Sequence, residues 1–73
     1  MEARVMVHKA NIIAQYFASY PHEEAVAGVT EHLEHFWEPH MRHQLLEYVE
    51  EGGDGLHELV REAAKRLRQT AAR

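Results

Sequence analysis

Hydrophobic residues recur every three or four positions in four stretches of the chain, with polar residues between them. This spacing places the hydrophobic side chains on one face of an α-helix. The predicted helices run from Ala3 to Tyr20, then to about Trp37, then from near Pro39, and finally from about Leu56. We therefore predict an all-α fold, a small compact bundle of four short helices. The predicted hydrophobic faces are Met6, Ala10, Ile13 and Phe17; Ala25, Val26, Val29, Leu33, Phe36 and Trp37; Met41, Leu45 and Val49; and Leu56, Leu59, Val60, Ala63, Ala64 and Leu67.

Prolines and glycines mark the ends of these helices. Pro39 suits the first turn of a helix and restrains the residue before it, so it predicts a corner between the second and third helices. Pro21 is expected near the first position of the second helix, with Ser19 or Tyr20 as the capping residue. The glycines after residue 51 should end the third helix in a left-handed conformation, and Asp54 should cap the fourth.

The length and composition predict one domain that spans residues 1–73, with a frayed tail at 69–73. A chain of 73 residues without cysteine has only a marginal core and no disulfide or thiolate metal site to strengthen it. Such a domain gains stability from a partner or from self-association. The sequence contains no apolar run of the roughly 20 residues that a membrane span needs, and its start does not resemble a signal peptide. We expect a cytoplasmic protein that does not enter a membrane.

Charge is distributed unevenly. Residues 22–56 carry nine acidic residues and one basic residue, Arg42, whereas residues 57–73 carry five basic and two acidic residues. The acidic middle should repel nucleic acid, because nucleic-acid affinity depends largely on Lys and Arg at the phosphates. We therefore do not expect a nucleic-acid partner.

Four of the seven histidines flank the Pro39 corner, and they are the candidates for metal binding. His32 and His35 form one pair three residues apart, and His40 and His43 form another, so each pair lies on one helical face. Imidazoles on facing helices can bind zinc, nickel or copper. The spacing is not that of a zinc protease, however, and the four side chains fit ordinary surface positions equally well. These residues are weak metal candidates.

The sequence offers little for catalysis. It has no cysteine, no Gly-x-Ser-x-Gly elbow around Ser19, and no Lys-Ser/Thr after its glycine-rich segment. We expect neither a catalytic residue nor a bound cofactor in this chain.

Candidate partner-binding residues cluster at the corner: Trp37, Pro39, Met41 and Arg42. Trp37 can close the core or act as an interface hot spot. Arg42 can pair with Glu38, four residues earlier, or reach a carboxylate of a partner. Asn11, a further candidate, can face solvent or bond a partner's backbone.

Gly28 stands within the second helix, where glycine costs roughly 1 kcal/mol relative to alanine. Two explanations are open for it. It can allow the close approach of another helix, or it can be a tolerated glycine without a role.

Several segments resemble the delta subunit of NAD-dependent formate dehydrogenases, over about residues 4–68. The most specific is the string from Phe36 to Arg42, Phe-Trp-Glu-Pro-His-Met-Arg. His40 departs from the pattern, because relatives are expected to carry a basic residue there. The other matching segments are Ala10–Phe17, Glu24–Ala27, His32, Leu45–Leu46, Gly52–Leu56 and Leu59–Val60.

The resemblance implies a non-catalytic accessory subunit of a cytoplasmic complex, docked on the large (alpha) subunit and involved in its stability or maturation. It implies that other subunits carry a molybdenum or tungsten bis-pterin cofactor, iron–sulfur clusters, FMN and the NAD site. We expect docking through the corner from Trp37 to Arg42. Two alternatives are a free-standing helical interaction or regulatory module, possibly homodimeric, and a histidine-based metal-binding protein.

Overall fold

The computed structural model describes the backbone of residues 2–71 and the side chains of residues 2–70. It confirms the all-α bundle: α1 spans Ala3–Phe17, α2 spans His22–Phe36, α3 spans Pro39–Glu50 and α4 spans Glu58–Ala71. Between residues 2 and 71 there is no β-strand. None of the four helices combines the length and the apolar character that a bilayer span requires.

The helix α2 is central, since it packs extensively against α4 and also against α1, while α3 packs mainly on α4. Alanines line much of the contact between α1 and its neighbours, and Ala10 and Ala14 are fully buried. Small side chains let helix backbones approach closely, so a short chain can fill its interior without voids. The largest fully buried side chains are Met6, Leu33, Leu45, Val26, Val29 and Val60.

Two of the predicted helix ends were wrong. The helix α1 stops at Phe17 rather than Tyr20, because the N–H of Tyr20 turns back to the carbonyl of Phe17 at 3.0 Å. Pro21 is the N-cap of α2 rather than its first residue, and no side chain caps that end. The chain thus reverses direction within four residues, 18–21, which keeps α1 and α2 in contact as neighbours.

The C-terminal end of α3 was predicted correctly. Gly52 has a φ of +123°, and its N–H bonds the carbonyl of Val49 at 3.0 Å. The N–H of Gly53 bonds the carbonyl of Tyr48 at 3.0 Å. This pair of bonds is a Schellman motif, which satisfies carbonyls that the helix end would otherwise leave open.

The N-cap of α4 is His57. We had predicted Asp54, and this prediction was wrong. The Nδ1 atom of His57 accepts the N–H of Leu59 at 3.0 Å, and its carbonyl accepts the N–H of Val60 at 2.9 Å. The helix begins this late because Leu56 must first enter the core, where it is buried, on a turn closed by its N–H to the carbonyl of Gly53.

Side chains from three helices hold the loop between α3 and α4. The amide of Asn11 on α1 donates to the carbonyl of Gly55 and accepts the N–H of His57, each at 2.9 Å. Asn11 therefore has an intrachain role that neither of our two expectations included. The hydroxyl of Tyr48 donates to the carbonyl of Asp54 at 2.6 Å. The guanidinium of Arg61 donates to the carbonyls of Gly53 and Leu56, at 3.0 and 3.4 Å.

The predicted fraying of residues 69–73 stays a prediction. The helix α4 continues through Ala71, so residues 69–71 are helical, and residues 72–73 lie outside the described residues. Arg68 explains the extension, since its guanidinium bonds Glu50 at 2.9 Å and the carbonyl of Leu46 at 3.1 Å. The last turns of α4 are thereby attached to α3.

Ion pairs join α2 to α4 at the surface. The Nε2 atom of His22 lies 2.7 Å from a carboxylate oxygen of Glu62, and Arg66 lies 2.7 Å from Glu23. Because each partner is at least 40% exposed, solvent screens both pairs and each contributes little to stability. Glu62, through its contact with the imidazole and its charge, raises the pKa of His22, and the charges of Glu58 and Glu23 add to this effect.

Replacing Asn11 with alanine should destabilise the fold by about 1–3 kcal/mol, because the N–H of His57 and the carbonyl of Gly55 each lose a partner. Urea denaturation followed by circular dichroism measures this. The matched control is Gln15→Ala on the exposed side of the same helix, which should change stability by less than about 0.5 kcal/mol. Equal losses in both variants would mean that the Asn11 bridge contributes nothing.

Replacing His22 with glutamine should remove a pH-dependent part of the stability. Because the folded-state pKa of His22 lies above its usual 6.5, its contribution is fully present below that pH and is lost as the pH rises through the folded-state pKa. Melting temperatures at about pH 5.5 and about pH 8 should therefore differ less in His22→Gln than in the unaltered chain. Glu62→Gln should give a similar reduction, and the double variant little more. A pH dependence unchanged in His22→Gln would contradict this assignment.

Candidate docking surface

The corner between α2 and α3 consists of two extended residues. Trp37 has φ −92° and ψ 139°, and Glu38 has φ −67° and ψ 151°. Pro39 is the first residue of α3, as predicted. Proline explains this geometry, because its ring disfavours a helical conformation in the residue before it. The extended backbone turns the chain and directs the two aromatic side chains before Pro39 to different sides.

Arg42 closes the end of α2. Its Nη1 donates to the carbonyls of Leu33 at 3.3 Å, Glu34 at 3.1 Å and Trp37. These carbonyls belong to the last turn and the C-cap of α2, where a cation also interacts favourably with the helix dipole. The structure therefore corrects the first of our two expectations for Arg42, because its guanidinium contacts these backbone carbonyls and not the Glu38 carboxylate. Contact with a partner's carboxylate stays a prediction.

Trp37 and Met41 form the inner side of the corner. Trp37 is only 8% exposed and belongs to the hydrophobic core. Of the two roles that we considered for Trp37, the structure shows the one in which it closes the core. Met41 is half-buried and packs against the same core, whereas Pro39 is exposed. Within the chain these residues build the corner, and their contact with a partner stays a prediction.

Phe36 is the exposed aromatic residue of the corner. We had placed it on the hydrophobic face of α2, and this was wrong: Phe36 is 74% exposed. Its ring lies against the imidazole of His32, with the ring centroids 4.7 Å apart. The adjacent Trp37, the C-cap of α2, occupies the core position instead.

Phe36 continues into a shallow apolar surface between α1 and α2. Phe17 lines the same cleft, and its ring contacts Tyr16 at a centroid distance of 4.9 Å. Tyr16 is 69% exposed. We name this surface the Phe36 surface; it consists of Tyr16, Phe17, Gly28, His32 and Phe36.

Gly28 makes this surface possible. A Cβ atom at its position would lie 2.5 Å from Cε1 of Phe17, which is closer than carbon atoms can pack. The first of the two explanations considered above, close approach, is therefore correct, although the approaching group is a side chain. Without a Cβ in the way, the Phe17 ring lies flat against α2 and forms the floor of the cleft.

The histidines at the corner do not converge on one point. His32 contacts Phe36, and His43 pairs with Glu47 on its own helix at 3.3 Å. His35 lines the Phe36 cleft, and His40 is exposed. Within residues 2–70, no three His, Asp or Glu side chains are arranged to hold a metal ion.

Sequence reasoning missed three contributors: Phe36 as a surface residue, Tyr16 beside it, and His57 as a cap. The sequence did indicate that Phe36 is exposed, because two aromatic residues stand next to each other before a proline. An extended residue at this point makes the two aromatic side chains point in different directions. The signal for Tyr16 was weaker, because it lies next to Phe17 at the edge of the α1 hydrophobic face.

A family model described as NADH-dependent formate dehydrogenase delta subunit, FdsD, matches residues 6–64 of the chain. The matched range includes the corner, the Phe36 surface and the loop before α4. The resemblance inferred from the sequence over residues 4–68 is thus confirmed for most of the chain. No curated protein and no solved structure matched it.

Replacing Arg42 with alanine should destabilise the fold by about 1.5–3 kcal/mol, because the carbonyls at the end of α2 lose a charged donor. Urea denaturation measures the change. The matched control is Arg66→Ala, which removes an exposed ion pair with Glu23 and should cost about 0.2–1 kcal/mol. If the two variants lose the same stability, the Arg42 contacts are not a cap of energetic importance.

Proposed function

This chain belongs to the family of NADH-dependent formate dehydrogenase delta subunits, and from that premise we propose that it is a non-catalytic accessory subunit of a cytoplasmic complex. In this proposal it docks on the large (alpha) subunit and supports the stability or maturation of the complex. The molybdenum or tungsten bis-pterin cofactor, the iron–sulfur clusters, FMN and the NAD site then belong to the other subunits.

The observation that carries the proposal is the Phe36 surface. Its two most exposed rings, Phe36 and Tyr16, are large apolar groups on a chain whose hydrophobic core is already complete without them. A contiguous exposed apolar patch on a small domain is typical of a protein–protein interface, and aromatic residues are enriched in such interfaces. A subunit role accounts for both the family and this surface.

The residues of the chain favour an accessory role over a catalytic one. Ligation of an iron–sulfur cluster needs cysteine thiolates, and the sequence has none. The carboxylates that could act as acids or bases lie at the surface: Glu24, Glu31, Glu34 and Glu38 are all exposed. A general acid or base is normally tuned by burial or by a close charge, and these side chains have no such burial.

Docking can support a partner through binding alone. A protein that binds only the folded, cofactor-loaded form of its partner stabilises that form by mass action. At a free concentration of about 100 times the dissociation constant, this effect amounts to about 2.7 kcal/mol. The chain would thereby slow the unfolding of the cofactor domain and the loss of its cofactor without taking part in the reaction.

The test compares the formate dehydrogenase complex purified from host cells with and without this chain. We expect the complex without the chain to contain less molybdenum or tungsten per large subunit, or to lose formate-dependent NAD reduction faster on heating. Metal analysis and timed activity assays measure the two quantities. Restoring the chain from a plasmid is the control and should restore both. Equal metal content and equal inactivation rates in the two preparations would contradict the proposed function.

A further inference from the structure

The cationic side chains of this chain are largely committed to intrachain contacts. Arg42 and Arg61 bond backbone carbonyls, and Arg66 and Arg68 bond carboxylates on other helices. Among the Lys and Arg side chains of residues 2–70, only those of Lys9 and Lys65 form neither a hydrogen bond nor an ion pair. Within residues 57–70, three of the four Lys and Arg side chains are therefore engaged in contacts within the chain.

The acidic side chains are distributed in the opposite way. Seven carboxylates within residues 2–70 form no ion pair with a Lys, Arg or His, and four of them lie between residues 24 and 38, along α2 and at its end. These seven are Glu24, Glu31, Glu34, Glu38, Glu51, Asp54 and Glu58.

The acidic residues of α2 border the Phe36 surface. Glu31 lines the same cleft as Phe17, Phe36 and Gly28. Glu24 lies one helical turn before Gly28, and residues four apart share a helix face. The apolar floor of the surface is thus accompanied by carboxylates that have no cation of their own.

We propose that the Phe36 surface receives a segment of a formate dehydrogenase subunit that presents apolar side chains flanked by Lys or Arg. The apolar groups cover Phe36 and Tyr16, and the cations meet the carboxylates of Glu24 and Glu31. This inference rests on the proposed function and adds the chemistry of the partner and the site of contact. Opposite charges around an apolar centre mainly increase the rate of association and fix the orientation of docking.

A second copy of the chain does not fit this description. Between residues 2 and 70 it offers two uncommitted lysines against seven uncommitted carboxylates, and the formal net charge of the chain is −4. Like charges facing each other across an interface oppose association. The occupant is therefore a different, basic chain.

The test measures binding of the tagged chain to formate dehydrogenase purified from host cells that lack it. Phe36→Ala should weaken binding about 30-fold, the effect of losing one interface hot spot. Glu31→Lys should weaken it at least about tenfold and reduce its dependence on NaCl concentration. Circular dichroism of each free variant establishes that it is folded, as expected for substitutions at exposed positions.

Two matched controls lie away from this surface. His8→Ala removes an exposed ring beside the loop before α4, and Glu51→Lys makes the same charge change at the end of α3. Both should bind within about twofold of the unaltered chain, as is usual for residues outside an interface. A loss in Glu51→Lys equal to that in Glu31→Lys would mean that only net charge matters, and would overturn the inference.

The outcomes separate the two proposals. If the unaltered chain does not bind the purified enzyme, the proposed function fails. If it binds and Phe36→Ala and Glu31→Lys bind equally well, the proposed function stands and the Phe36 surface is not the docking site. Sedimentation of the free chain tests whether a second copy of the chain occupies the surface. If the free chain is a dimer that Phe36→Ala dissociates, and this variant still binds the enzyme normally, the surface serves self-association and the inference is overturned.

Discussion

The guanidinium of Arg42 and the extended residues before Pro39 set the direction in which the chain leaves α2. Their contacts with the last turn of α2 hold α3 in place, and this position brings Trp37 into the core. Trp37 lies inside, and Phe36 faces outwards. The exposed aromatic surface is therefore a direct consequence of how one helix end is capped, and the candidate interface and the fold depend on the same few contacts.

Periodicity predicted the four helices and nearly all of the buried residues, because a helix face that packs on a core must repeat every three or four residues. It failed at Phe36, since the helix ends there and the repeat no longer determines which neighbour is buried. Polar partners were less predictable. The bonds of Asn11 to residues 44 and 46 positions later, and the choice of His57 over Asp54 as a cap, depend on tertiary contacts that no local pattern contains.

The sequence could not show which charged side chains pair within the chain and which remain unpaired at its surface. The sequence has an acidic middle and a basic tail, but Arg66 and Arg68 of the tail pair with Glu23 and Glu50 of the middle. The excess that remains is acidic, and part of it borders the aromatic cleft. In the proposed docking, this combination of an apolar surface and unpaired carboxylates is the property that selects a partner.

The bridge between Asn11 and the loop before α4 also sets an order in time. At 5–20 residues per second, the ribosome needs roughly 2–9 s to add the residues that separate Asn11 from His57. During that interval α1 exists without its polar anchor and without α4 to pack on, while its outer face already presents Ile12 and Tyr16. The domain thus becomes complete only when its last helix is made.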